Sequence, residues 1–181
     1  MKDAAAKTPT AALVWIPPDS AWAPIQAIRQ RYDRHLPRWM PHVTLLYPFR
    51  PLEQFDAIEP SLYEACAKFK PFDADFNEVR SFEHSAHSHT MWAAPEPEAS
   101  FRALQSALQA RFPDCDDIAN YPGGYTPHLS LGQSHGPPEL PRRLDDARAL
   151  WKPLRVKVEE VTLVARIGET PFRVERVIPL G

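Results

Sequence analysis

Glycine is scarce in this chain, with 6 residues in 181. None of them falls into the G-x-x-x-x-G-K-[ST] or G-x-G-x-x-G spacing, so a phosphate-cradling P-loop and a dinucleotide-binding turn are both excluded. Cysteine is scarcer still. Cys66 and Cys115 lie far apart, in no metal-type spacing and with no histidine beside them in sequence. That rules out a disulfide framework and argues against a nucleophilic thiol. Two free thiols in a reduced, cytoplasmic setting are expected. Charge of one sign is also lacking, the net charge being −2. The molecule as a whole is then no strong polyanion binder, and any nucleic-acid contact must be local, which favours a short or end-recognised substrate over a long duplex. Long apolar runs are missing too. Ala11 to Pro18 is far too short to span a bilayer, and Met1 to Thr10 has no apolar core of a secretory signal, so no membrane partner is expected.

Proline is what the chain has in excess, at 21 residues. Proline fixes φ and removes an amide donor, so stiff, defined loops are expected between the apolar periodic segments. A hydrophobic content of 44% and a charged content of 24% suit a single soluble globular domain.

Ala12 to Ile16 reads as a buried strand stopped by Pro17-Pro18. A helix follows over about residues 21–34, with Ile25 and Ile28 on its inner side. A strand is expected over 42–49, a helix over about 51–68 that Pro60 is placed to break, and a strand over 72–82. The order then repeats: a strand at 90–94, a helix at 98–112 with Phe101, Leu104, Leu108 and Phe112 at helical spacing, a strand at 128–133 and a helix at 139–150. Two β-rich stretches, 154–165 and 172–178, close the chain. Mixed strands and helices with hairpins predict an α+β fold. The duplication predicts one domain of two lobes, built from roughly 11–85 and 86–181.

The repeat is sharpest in two quartets, His42-Val43-Thr44-Leu45 and His128-Leu129-Ser130-Leu131, each entered from a proline (Pro41, Pro127). Strand side chains alternate between faces. His42 and Thr44 therefore share one face while Val43 and Leu45 are buried on the other, and the second quartet repeats this. Brought together, two imidazoles and two hydroxyls suit phosphodiester chemistry. Histidine titrates near neutrality, so one ring can accept the proton of the attacking oxygen while the other protonates the leaving oxygen. Thr44 and Ser130 supply donors for the phosphate oxygens. The motifs lie 86 positions apart, so only tertiary structure can join them.

The segments Trp39-Met40-Pro41-His42-Val43-Thr44-Leu45-Leu46-Tyr47-Pro48-Phe49 and Tyr125-Thr126-Pro127-His128-Leu129-Ser130-Leu131-Gly132 resemble the two signatures of the two-histidine (2H) phosphoesterase superfamily, which includes 2′-5′ RNA ligase-like proteins and cyclic nucleotide phosphodiesterases. The resemblance implies a bilobal, pseudo-symmetric α+β body with two antiparallel-rich sheets facing a central groove and helices outside. It implies metal-independent opening of a 2′,3′-cyclic phosphate, or cleavage or ligation of a 2′-5′ linkage, with His42 and His128 as acid and base and Thr44 and Ser130 as phosphate donors. No cofactor and a monomer are expected. Ser130 stands where threonine is more usual, and Gly132-Gln133-Ser134 follows where many relatives place a basic residue.

Other residues carry weaker arguments. Tyr125, in the loop before the second motif, is a base-stacking candidate. Trp15 is a second candidate to line the groove, although an aromatic in an apolar strand is usually core. Strand parity assigns Tyr47 to the core. The basic run Arg29, Arg31, Arg34, His35, Arg38 reads as a solvated helix face that could also meet phosphates. Asp114, Asp116 and Asp117 form an acidic patch in the other half. His84, His87 and His89 read as a polar hairpin, with a metal site as the minority alternative. The rival to an enzyme is a non-catalytic module that binds an RNA end or a nucleotide.

Overall fold

The structure is a computed structural model describing residues 6–136 and 138–181. Its elements run β1 (Ala11–Trp15), α1 (Trp22–Tyr32), β2 (Val43–Leu46), α2 (Phe55–Cys66), β3 (Phe72–Ser85), β4 (Ser88–Glu96), α3 (Glu98–Arg111), β5 (Leu129–Ser134), α4 (Leu140–Leu150), β6 (Leu154–Val158), β7 (Glu160–Ala165) and β8 (Arg173–Pro179). The expected α+β class and element order are present. Pro60 does not break α2; it sits inside the helix, which continues to Cys66.

The eight strands form one antiparallel sheet in the order β6-β3-β4-β5-β2-β1-β7-β8. This corrects the expectation of two facing sheets. The segments 11–85 and 86–181 interleave within that sheet, β1, β2 and β3 being drawn from the first and the remaining strands from the second. Only Glu159 separates β6, at one edge, from β7, next to the other. In a flat sheet six inter-strand spacings would hold these strands roughly 29 Å apart, far more than one residue can span. The sheet therefore curls until its ends approach each other at that residue.

One face of the sheet carries the main core. Leu13, Trp15, Val43, Leu45, Leu129, Leu131 and Met91 meet the helices there, Ile25 and Ile28 coming from α1 and Phe101, Leu104 and Leu108 from α3. Burying each such side chain stabilises the fold by about 1.5–3 kcal/mol. Ala12, Val14, Val164 and Phe172 form a small second cluster, flanked by Trp39, Met40 and Tyr47. Period-two alternation in β1 separates the two clusters. Helix α1 packs directly on β5: a Cβ at Gly132 would lie 2.5 Å from Tyr32 Cβ, so only glycine permits this approach.

Candidate active site

β2 and β5 are neighbours at the centre of the sheet, in antiparallel register with Val43 opposite Leu129. Extending that register by one residue each way sets His42 across from Ser130 and Thr44 across from His128. The four side chains share the face opposite Val43 and Leu129. The two histidines are diagonal cross-strand neighbours, a relation that separates residues by about 7–8 Å. Each is electrically close enough that charge on His128 disfavours charge on His42.

The two quartets match in finer detail. Each imidazole Nδ1 lies 2.8 Å from the carbonyl oxygen two residues earlier, Met40 for His42 and Thr126 for His128. A carbonyl only accepts, so Nδ1 carries the proton and donates it. In the neutral ring Nε2 is then the free base. Each motif strand also bulges at the fourth quartet position. Against β1, Thr44 pairs with Val14 and Leu46 with Leu13, leaving Leu45 over. Against β4, Ser130 pairs with Trp92 and Gly132 with Met91, leaving Leu131 over. A bulge re-aims the strand beyond it, and both lie just after the hydroxyl residue.

The Leu45 bulge also explains a misplaced residue. Leu45 and Leu46 are both fully buried, and Tyr47 is thereby thrown to the His42 side. There its ring stands edge-on to Trp39 at 5.8 Å, and its hydroxyl donates to the Pro9 carbonyl. The core assignment from simple alternation is corrected accordingly.

Aromatic rings that sequence reasoning did not single out enclose both imidazoles. Trp39 stacks on His42 at 4.5 Å and on Phe172 at 3.6 Å. Phe82 and Trp92 stack on each other at 4.5 Å and present to His128 at 5.0 and 5.9 Å, near edge-on. Each group ends in an arginine: Arg166 over Phe172 at 5.6 Å, Arg80 over Trp92 at 5.8 Å. The alternation of β3 and β4 could have pointed to Phe82 and Trp92. Phe172 had no local signal, since a loop and a long-range contact bring it in.

Burial dominates the electrostatics. It pushes the His42 ring down to about 4, against the opposing pull of the Met40 carbonyl and with help from Arg29 and His128. Burial lowers His128 as well. Without a ligand, both rings are therefore neutral at pH 7, and an anion placed between them would favour protonation.

The remaining candidates fall outside the quartet. Tyr125 is 7% exposed, and its hydroxyl donates to the Thr44 carbonyl at 2.7 Å. The loop thus spends this residue on bracing β2, and the premise of an exposed stacking ring is corrected. Trp15 is 1% exposed and stacks at 5.7 Å on Phe76 in the helix-covered core. Its register partner Val43 points away from the histidines, so Trp15 does not line the groove. Cys66 and Cys115 are buried and free, and burial raises both thiols to about 11, which leaves them inert at neutral pH.

His84, His87 and His89 sit at the tip of the β3–β4 hairpin, and His84 Nε2 lies 3.0 Å from Thr90 Oγ1. Among the described residues no three His, Cys, Asp or Glu side chains converge on a metal-sized point. Arg29, expected on a solvated helix face, is 2% exposed. It pairs with Asp33 at 2.7 Å and donates to the Trp39 carbonyl at 2.8 Å, holding the loop that leads to His42. In the acidic patch, Asp114 accepts a bidentate pair from Arg50, and Asp117 binds Lys7. Among the described residues no helix is long and apolar enough to cross a membrane.

Residues 17–170 match the 2′-5′ RNA ligase superfamily. The fold is similar to the crystal structure of TT0787 of Thermus thermophilus, with a TM-score of 0.62 at 21% identity over 94% of this chain and 97% of that one. It is also similar to E. coli LigT in its apo form, with a TM-score of 0.61 at 16% identity over 97% of this chain and 99% of that one. LigT complexed with 3′-AMP gives a TM-score of 0.61 at 16% identity, over 94% and 97% of the respective chains. At these identities the likeness is one of fold. No curated protein sequence matches significantly.

Proposed function

The chain belongs to the 2′-5′ RNA ligase superfamily, and from that premise we propose that it is a metal-independent phosphoesterase of RNA-type phosphodiesters, acting by opening a 2′,3′-cyclic phosphate or cleaving a 2′-5′ linkage. The observation that carries the reading is the Val43–Leu129 register, with both imidazoles on one face and both Nδ1 atoms tied to a carbonyl.

The mechanism follows from that geometry. A phosphodiester lies between the rings, its charge raising their proton affinity until one holds a second proton on Nε2. The neutral Nε2 takes a proton from water as the water oxygen bonds to phosphorus. The protonated ring gives its Nε2 proton to the 2′ or 3′ oxygen as the P–O bond breaks. Thr44 and Ser130 donate to the equatorial oxygens, where negative charge grows. Run forwards with a ribose hydroxyl attacking phosphorus in place of water, the same two proton transfers open the cyclic phosphate onto that hydroxyl and join two ends. A nucleotide substrate is further supported by the fold relative LigT, which has been crystallised with 3′-AMP.

The test is a screen of 2′,3′-cyclic mononucleotides and 2′-5′ dinucleotides in EDTA, with wild type beside His42→Ala and His128→Ala. Turnover with chelator present is expected, and each variant should lose about 10²–10⁴-fold in kcat. Activity that needs added divalent metal, or that survives either substitution, would refute the proposal. Tight nucleotide binding with no product would point to the binding-module alternative.

A further inference from the structure

A cavity of about 300 Å³ opens where α1, the end of β5 and α4 meet. Its walls carry Arg31, Arg34, His135 and Arg143, and its floor carries Asp33 and Gln133. The floor is locked. Asp33 accepts from Arg29 at 2.7 Å, from the His35 amide at 2.8 Å and from Gln133 Nε2 at 3.1 Å, while Gln133 Oε1 takes the Arg34 amide at 3.1 Å. The Asp33 carboxylate is thus neutralised from behind by Arg29.

The walls keep a cationic excess at Arg34. Arg143 pairs with Glu139 at 2.7 Å, donates to the Gln133 carbonyl at 2.8 Å and lies over the Tyr32 ring at 5.5 Å, while its Nε is buried with no partner among the described residues. Arg31 meets Asp146 only at 3.5 Å, and Asp146 also accepts from the Tyr32 hydroxyl. Among the described residues the Arg34 guanidinium bonds only to the His35 ring, and His135 is exposed. A buried guanidinium nitrogen without an acceptor, on a basic wall over a rigid floor, suits an anion.

The loop after α1 links the cavity to the His42 end of the candidate site. Arg29, which binds Asp33 beneath the floor, also holds the Trp39 carbonyl, and Trp39 stacks on His42. Gln133 stands five residues beyond His128 on the same strand, about 15 Å away along it. A single-stranded chain covers that distance in a few nucleotides. Resting on the phosphoesterase reading, we infer that this cavity binds a backbone phosphate of an RNA strand whose terminal phosphate lies between His42 and His128. The preferred substrate is then an oligoribonucleotide end, a free mononucleotide filling the histidine site alone and binding more weakly. The net charge of −2 agrees with recognition by one local basic site.

The test is fluorescence anisotropy with 3′-phosphorylated oligouridylates of one and six nucleotides. Wild type is expected to bind the six-mer at least 10-fold more tightly than the one-mer in low salt. Arg31→Ala/Arg34→Ala should lose most of that advantage, and its slope of log K against log salt should fall by about 0.7 per arginine. Arg31→Lys/Arg34→Lys should restore part of both. Arg31 is largely exposed, so these variants keep the fold, which thermal melting checks. A wild type without length preference, or a double alanine variant that keeps the preference and the salt slope, would overturn the inference. Absence of turnover with length-dependent binding intact would sink the phosphoesterase reading and leave this one standing.

Discussion

Protonating His42 should weaken the fold, and the size of the effect can be worked out. The ring goes from its ordinary value of 6.5 in the unfolded chain to about 4 in the folded one, burial being the main cause. Between those values the unfolded chain binds a proton that the folded chain does not. Stability from this group is therefore complete above pH 6.5 and is lost as pH falls toward 4. At pH 5 the loss comes to about 2 kcal/mol, and below pH 4 it approaches about 3 kcal/mol. Water reaching the Nε2 edge of the half-buried ring makes these upper figures. His128 adds to the effect in the same direction.

The assay is urea unfolding of wild type and His42→Gln at pH 8 and pH 5, with NMR titration of the His42 ring. Wild type should lose about 2 kcal/mol more than the variant between the two pH values, at unchanged m. Saturating 3′-AMP should move the ring's titration up. A His42 ring titrating at 6.5 or above in the free protein, or the same pH dependence in both proteins, would refute the electrostatic account. It would also remove the reason for expecting the substrate to install the catalytic proton.

Two further outcomes follow from the packing. Gly132→Ala would drive a methyl group to 2.5 Å from Tyr32 Cβ and force α1 off β5, so about 1–3 kcal/mol of stability and several degrees of Tm should be lost; an unchanged melting curve would contradict the packing. Tyr125→Phe deletes the hydrogen bond to the Thr44 carbonyl, so about 1 kcal/mol should be lost in urea unfolding, with kcat falling and KM nearly constant; a rise in KM alone would instead indicate that the ring touches the substrate base.

Apolar spacing made α1 and α3 legible to within a few residues, because helix-facing positions follow from local periodicity, and the charged faces of 139–150 did the same for α4. The same holds for the two quartets. In each, alternation alone assigns histidine and hydroxyl to one face and aliphatic residues to the other. Tyr47 shows where this logic ends. Parity holds only while the ladder is regular, and the bulge at Leu45 shifts every later residue to the other side. Trp15 and Tyr125 show a second limit. An aromatic ring in a strand or loop can face a groove or a core, and its neighbours on other strands decide which.

What the sequence determined by itself was the order of elements, the chemistry of the repeated quartets and the face each quartet residue occupies. These depend on residues within a turn or two of one another. Only the tertiary structure decided that β2 and β5 lie side by side, that the sheet is one curled surface, and that Trp39, Phe172, Phe82 and Trp92 enclose the imidazoles. Those facts depend on which distant strands share hydrogen bonds, and backbone hydrogen bonds form between any two strands alike. The choice among pairings is made by burial summed over the whole core, and no local stretch of sequence carries that sum.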